Sequence, residues 1–114
     1  MQRDVLLLGE ILEAAERLLK LVEGRSVDDI AEDEVRRDAM LWNFTVLGEA
    51  TGQLSDELRA AHDDVGWQRP VQLRNRIVHG YWSIDLEILL STARNDLPAF
   101  VRAVRRVVEA TDRD

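Results

Sequence analysis

The chain has no cysteine, two prolines, two histidines and, as aromatics, three tryptophans, two phenylalanines and one tyrosine in 114 residues. Without thiols there is no disulfide framework and no thiolate metal site. That fits a reducing cytoplasm, where the protein is expected to act. No apolar run reaches the roughly 20 residues that span a bilayer, and no basic start leads into an apolar segment with a small-residue cleavage site, so neither membrane insertion nor a signal peptide is expected. Basic side chains are also scarce. Fifteen Lys and Arg stand against 22 Asp and Glu, a net charge of -7. A surface of that sign does not grip nucleic acid along its whole length, and any such contact is confined to a small basic spot. The length predicts one domain, residues 1–114.

What is present is helical periodicity. From Met1 to Glu23, Val5, Leu8, Ile11, Leu12, Ala15, Leu18, Leu19 and Val22 recur at three- and four-residue steps, with Leu6 and Leu7 widening the stripe and Gly24 as the stop. Ser26 to Glu32 reads as a connection, in which Ser26 and Asp29 can form a capping box and open a short turn. A second long helix is expected from about Asp33 to Leu54, with Val35, Ala39, Leu41, Trp42, Val46, Leu47, Ala50 and Leu54 as its apolar face. Trp42 thus reads as core. Gly48 and Gly52, four apart, either admit a second helix closely or are tolerated near a frayed end.

Ser55 caps a short helix through Ala61, and His62-Asp63-Asp64 reads as its solvated end, with no second ligand pair at metal spacing. Trp67 and Trp82 read as core or interface anchors. Ser83 is the expected cap of the next helix, with Ile84, Ile88, Leu89 and Ala93 inward. Pro98 either kinks the chain or begins a new helix capped by Asp96. The last helix, about Leu97 to Ala110, turns Phe100, Val101, Val104, Val107 and Val108 inward, and Thr111 to Asp114 should fray. No repeat and no convincing strand appears. The pattern predicts an all-α, antiparallel bundle of about five to six helices.

One stretch runs against the overall charge. From Arg69 to His79 there are three arginines and no acid, and the segment continues through Gly80 to Tyr81. Pro70 suits the first turn of a helix there and Gly80 its end. Arginines around a titratable imidazole suit a phosphate-handling site. Arg74-Asn75-Arg76-Ile77-Val78-His79-Gly80-Tyr81 resembles the R-x4-H-x-Y signature of HEPN domains, and most closely the HepT-like toxins paired with MNT nucleotidyltransferase antitoxins. Gly48-Glu49-Ala50, Trp67, Ile84-Asp85 and Leu97-Pro98 extend the resemblance over nearly the whole chain.

The resemblance implies a HEPN-like homodimer with metal-independent endoribonuclease activity, no cofactor, and the motif at the dimer cleft. It places Arg74, Asn75 and His79 on the nuclease positions. It places Tyr81 on the tyrosine that the partner nucleotidyltransferase adenylylates. RNA is the implied substrate, and Arg76 is a possible further contact to it. A rival reading is a non-catalytic helical scaffold that binds the nucleotidyltransferase.

Metal-free cleavage uses the ribose 2′-OH as nucleophile and needs a base, an acid and positive charge for the phosphorane. Histidine serves as base or acid near neutrality. Arginine offers a planar fork to phosphate oxygens. Five residues on an ideal helix set Arg74 and His79 about 140° apart. A helix ending at Gly80 is expected to free His79 to turn toward the arginine, and a two-fold dimer would bring two copies of the motif into one groove.

Overall fold

The computed structural model describes residues 2–80 and 83–112. Among them every regular element is helical. In chain order these are α1 (Gln2–Val22), α2 (Val27–Glu32), α3 (Glu34–Gly52), α4 (Asp56–Ala61), α5 (Gln68–Gly80), α6 (Leu86–Ser91), a π turn (Thr92–Asp96) and α7 (Leu97–Asp112). Because α6, the π turn and α7 follow without a break, the described residues form six helical rods, an all-α bundle as the periodicity predicts.

α1 lies against α3 and α7, and α3 lies against α5. The apolar stripe of α1 is buried as Leu7, Leu8, Ile11, Ala14, Ala15, Leu18 and Val22. It meets Met40, Phe44, Leu47 and Ala50 of α3 and Leu97, Val101, Val104 and Val107 of α7 in one contiguous core. The start of α1 is fixed by a polar anchor. Asp4 is buried and accepts hydrogen bonds from the Ser55 N–H at 2.9 Å and the Ser55 hydroxyl at 2.7 Å. The same hydroxyl accepts from the N–H of Leu58 at 3.1 Å and so caps α4. Burial pushes the Asp4 carboxyl up, but the two bonds from Ser55 and the nearby Arg3 outweigh it and hold the group below the usual carboxylate range.

The far end of α1 is closed by guanidinium groups. Arg36 donates to the carbonyl of Leu21 at 2.8 Å, and Arg94 in the π turn donates to those of Val22 and Arg25. Cations suit the carbonyls of Leu21 and Val22, the last of α1, where the helix dipole is negative. Gly24, at φ 68, then reverses the chain. The predicted capping box forms: Ser26 Oγ accepts from the N–H of Asp29, and the Asp29 carboxylate accepts from the N–H of Ser26. The connection therefore holds a helix of its own, α2.

Several expectations are corrected. Trp42 is 66% exposed, not core. It sits about 200° round the helix from Met40, on the side away from the buried stripe. Val35, one heptad earlier, shares that outer side and is likewise exposed. The true inner face of α3 is Met40, Asn43, Phe44, Leu47, Gly48, Ala50 and Thr51. Leu6 and Val5 of α1 also face out. Ser83 does not cap α6: Asp85 does, accepting from the N–H of Glu87, while the Ser83 hydroxyl donates to the carbonyl of Gly80. Ile88 is exposed, and Leu90 takes the inner place beside Leu89 and Ala93. Asp96 starts no new helix. The π turn carries the chain straight into α7, with the N–H of Leu97 reaching the carbonyl of Thr92. The wider turn gives the ring of Pro98 room and absorbs its missing N–H.

Trp67 is core. Its indole N–H donates to the carbonyl of His62 at 2.9 Å, and its ring meets Phe100 edge-on at 6.2 Å.

Candidate functional site

α5 carries the motif and owes its position to a glycine. A Cβ built on Gly48 would lie 2.2 Å from the Cβ of Arg74 and 2.5 Å from the carbonyl oxygen of Pro70. Only a residue without a side chain lets α5 approach α3 this closely. Gly52 is different: the nearest atom to its notional Cβ is Val71 Cγ2 at 3.7 Å, an ordinary contact. Of the two glycines, one is required and the other is tolerated.

The close approach sets Arg74 against α3. One guanidinium nitrogen, Nη2, lies 3.0 Å from Glu49 Oε2, and the other, Nη1, donates to Asn75 Oδ1 at 3.0 Å. Nε is buried and has no hydrogen-bond partner. The side chain keeps 31% of its surface open. It lines a groove of about 470 Å³ together with Leu7, Trp42, Val46, Glu49 and Gln53. Asn75, Arg76 and His79 are exposed.

The structure brings Arg74 and Asn75 together, but not Arg74 and His79. α5 remains helical through His79 and ends with Gly80. The imidazole is therefore not freed to swing back, as the glycine had suggested, and stays about 140° from Arg74 around the helix. Tyr81 and Trp82 lie outside the described residues.

A second groove, of about 290 Å³, is more apolar. Phe44, Leu47, Leu73 and Phe100 line it, and Arg69 and Arg106 stand at it with Asp64 and Asp96. It contains none of Arg74, Asn75, Arg76 or His79. Both grooves carry charges of both signs, but the second lacks the held arginine that marks the first.

Sequence reasoning missed the residue that holds Arg74. Glu49 stood in the resemblance only as part of Gly48-Glu49-Ala50. The available signal was its neighbour: a glycine required for helix contact places the next side chain at the edge of that contact.

Comparison with known proteins follows the same line. The family described as ribonuclease HepT-like matches residues 11–107. A protein of Caldanaerobacter subterraneus subsp. tengcongensis, named a putative RNase, is 28% identical over 102 residues, which cover 90% of this chain and 91% of that protein. One of Methanocaldococcus jannaschii, also named a putative RNase, is 27% identical over 107 residues, covering 93% and 98%. One of Thermococcus cleftensis, named a probable ribonuclease HepT, is 23% identical over 92 residues, covering 81% and 84%. No solved structure gives a significant match.

Proposed function

We propose that this chain, which belongs to the HepT-like ribonuclease family and is an endoribonuclease, cuts RNA without a metal ion through Arg74, Asn75 and His79. The observation that carries this reading is the arrangement on α5. A guanidinium is held at the edge of an open groove, on the helix that ends beside an exposed imidazole.

In the reaction a base takes the proton of a ribose 2′-OH, and that oxygen attacks the adjacent phosphorus. The P–O bond to the 5′ oxygen breaks, and an acid gives that oxygen a proton. The products are a 2′,3′-cyclic phosphate and a free 5′-OH. His79 exchanges the proton. The Arg74 guanidinium meets the charge that grows on the phosphorane. Asn75 orients Arg74 through its side-chain carbonyl, and Arg76, exposed on the same helix, adds a phosphate contact. The short basic stretch, not the whole acidic surface, is where RNA binds.

Arg74 and His79 diverge on one helix, so the site is completed by a second copy. A two-fold axis near the end of α5 sets the histidine of one protomer beside the arginine of the other. Exposed Leu6, Val35 and Trp42 supply apolar surface for such an association. The single HEPN-like domain of residues 1–114 then acts in the cytoplasm as the toxin of a pair. Its partner is an MNT-type nucleotidyltransferase that moves AMP from ATP to the hydroxyl of Tyr81, releasing pyrophosphate. The added phosphate occupies the arginine and the nucleoside fills the groove. Tyr81→Phe should keep cleaving RNA yet escape this silencing, and AMP found by mass spectrometry on another residue of a silenced Tyr81→Phe protein would refute that role.

The test of the chemistry is the identity of the ends. Cleavage of a defined RNA should leave 2′,3′-cyclic phosphate and 5′-OH termini. Products with 3′-OH and 5′-phosphate would require a water nucleophile and would contradict the mechanism.

A further inference from the structure

We infer that Glu49 is a positioning residue that fixes the guanidinium of Arg74 for phosphate, with Gln53 holding Glu49 in turn. The inference rests on the proposed role of Arg74 in RNA cleavage.

The argument starts from the donor count. A guanidinium has five N–H groups in a rigid plane. In Arg74 the Nε–H is buried without a partner, one Nη1–H goes to Asn75, and Nη2 forms an ion pair with Glu49 Oε2 at 3.0 Å. The ion pair takes up no N–H in a hydrogen bond, so three terminal N–H groups remain, one on Nη1 and two on Nη2. One from each nitrogen can meet the oxygens of a phosphate, and the hydrogen bond and the ion pair together keep the plane from turning.

Glu49 is itself held. Its Oε2 takes Arg74, and its Oε1 accepts from Gln53 Nε2 at 3.1 Å. Gln53 Oε1 accepts from Arg3 Nη2 at 2.6 Å. The relay runs from α1 across α3 to α5, and both carboxylate oxygens are occupied. Helix geometry explains the spacing: Glu49 and Gln53 are one turn apart on the same side of α3. Gly48 brings the helices close, and Glu49, the next residue, meets the guanidinium at the edge of the contact. The pair of residues Gly48 and Glu49 thus has one purpose, which is to place and hold the arginine.

An alternative use of this carboxylate is direct proton transfer. The occupied oxygens argue for holding, and the two uses respond differently to substitution. In Glu49→Gln an amide oxygen can still accept from Arg74. In Glu49→Ala nothing can.

The experiment measures kcat and KM on a short RNA for wild type, Glu49→Ala, Glu49→Gln, Arg74→Ala and the double variant Glu49→Ala/Arg74→Ala. Circular dichroism melts confirm folding. Glu49→Ala should lower kcat by about 10- to 100-fold, with KM unchanged or lower, because a misplaced group loses rate without losing ground-state binding. Glu49→Gln should stay within about threefold of wild type, since it keeps an acceptor for the guanidinium. In the Arg74→Ala background, Glu49→Ala should add no further loss, the mark of a residue acting through another.

Unchanged kcat in Glu49→Ala overturns the inference. So does an equal loss in Glu49→Gln and Glu49→Ala, which would assign the carboxylate a direct proton-transfer role. So does an undiminished loss in the Arg74→Ala background. If Glu49→Ala fails to melt as a folded protein, the kcat of Glu49→Gln decides on the same terms. Wild-type activity in Arg74→Ala is a separate failure: it would remove the proposed role of Arg74, whatever Glu49 does.

Discussion

Arg74 and His79 stand five residues apart on α5, and their surroundings differ in kind. Arg74 lies where α5 presses on α3, over a glycine that leaves no room for a methyl group. Its guanidinium is gripped from two sides, by Glu49 and by Asn75. His79 lies one residue from the helix end, exposed to solvent. One region is built to be rigid and the other is left open. The division suits the two tasks proposed for these residues. Stabilising a phosphorane needs charge already in place when the reaction occurs. Exchanging a proton needs an imidazole that substrate and water can reach.

The largest expected effect comes from loosening the rigid end while keeping its charge. Arg74→Lys retains a cation opposite Glu49 but loses the planar fork. Cleavage should fall about 100-fold, while the melting temperature changes little, because the lost contacts are half open to solvent. Retention of wild-type kcat in this variant would mean that a point charge suffices.

The next is Gly48→Ala, which attacks the same end through the backbone. The new methyl meets backbone and Cβ atoms that cannot swing aside, so α5 must move. A loss of about 2–3 kcal/mol in urea unfolding is expected, together with reduced cleavage. Gly52→Ala should be neutral or slightly stabilising, since its site is roomy and alanine favours helix. If the two substitutions behave alike, the close approach at Gly48 has no consequence.

The smallest effect lies away from α5, at the Asp4–Ser55 anchor. Asp4 is held below its usual range in the folded protein by the bonds from Ser55. Its stabilisation is therefore complete above the unfolded value, near pH 4, and is lost as pH falls through the lower folded value. Asp4→Asn should cost about 1–2 kcal/mol at neutral pH, and the gap to wild type should close in acid. Equal stability of the two proteins at pH 7 would show that the anchor contributes nothing.

How far the chain could be read in advance follows from the same contrast. The helices of α1 and α7 were legible because their apolar residues recur with one period and bury on one side. Caps made by local side chains, at Ser26 and Ser55, were legible for a similar reason: donor and acceptor lie within three residues. α3 misled, because Val35 and Trp42 put apolar residues on its outer side as well. Summing apolar residues blurred two faces that a stricter helical projection separates. The π turn was hidden because Pro98 allows several outcomes, and the choice depends on room in the neighbouring packing. At the site, Arg74, Asn75 and His79, whose catalytic roles are proposals, were singled out by the resemblance that the motif and its flanking residues carry. The role of Glu49 was not, since it depends on a contact between two helices that no local pattern contains. The expected convergence of His79 on Arg74 failed for a local reason: Gly80 ends α5 only after the helix has carried the imidazole round.

The most direct measurement is cleavage of a short RNA by the purified protein in excess chelator, comparing wild type with His79→Ala. The account predicts that wild type cuts at the same rate with and without chelator, and that His79→Ala, folded to the same melting temperature, cuts at least about 100-fold more slowly. Wild-type cleavage that stops in chelator and returns with added Mg²⁺ or Mn²⁺, or a His79→Ala protein that cuts as fast as wild type, would contradict it.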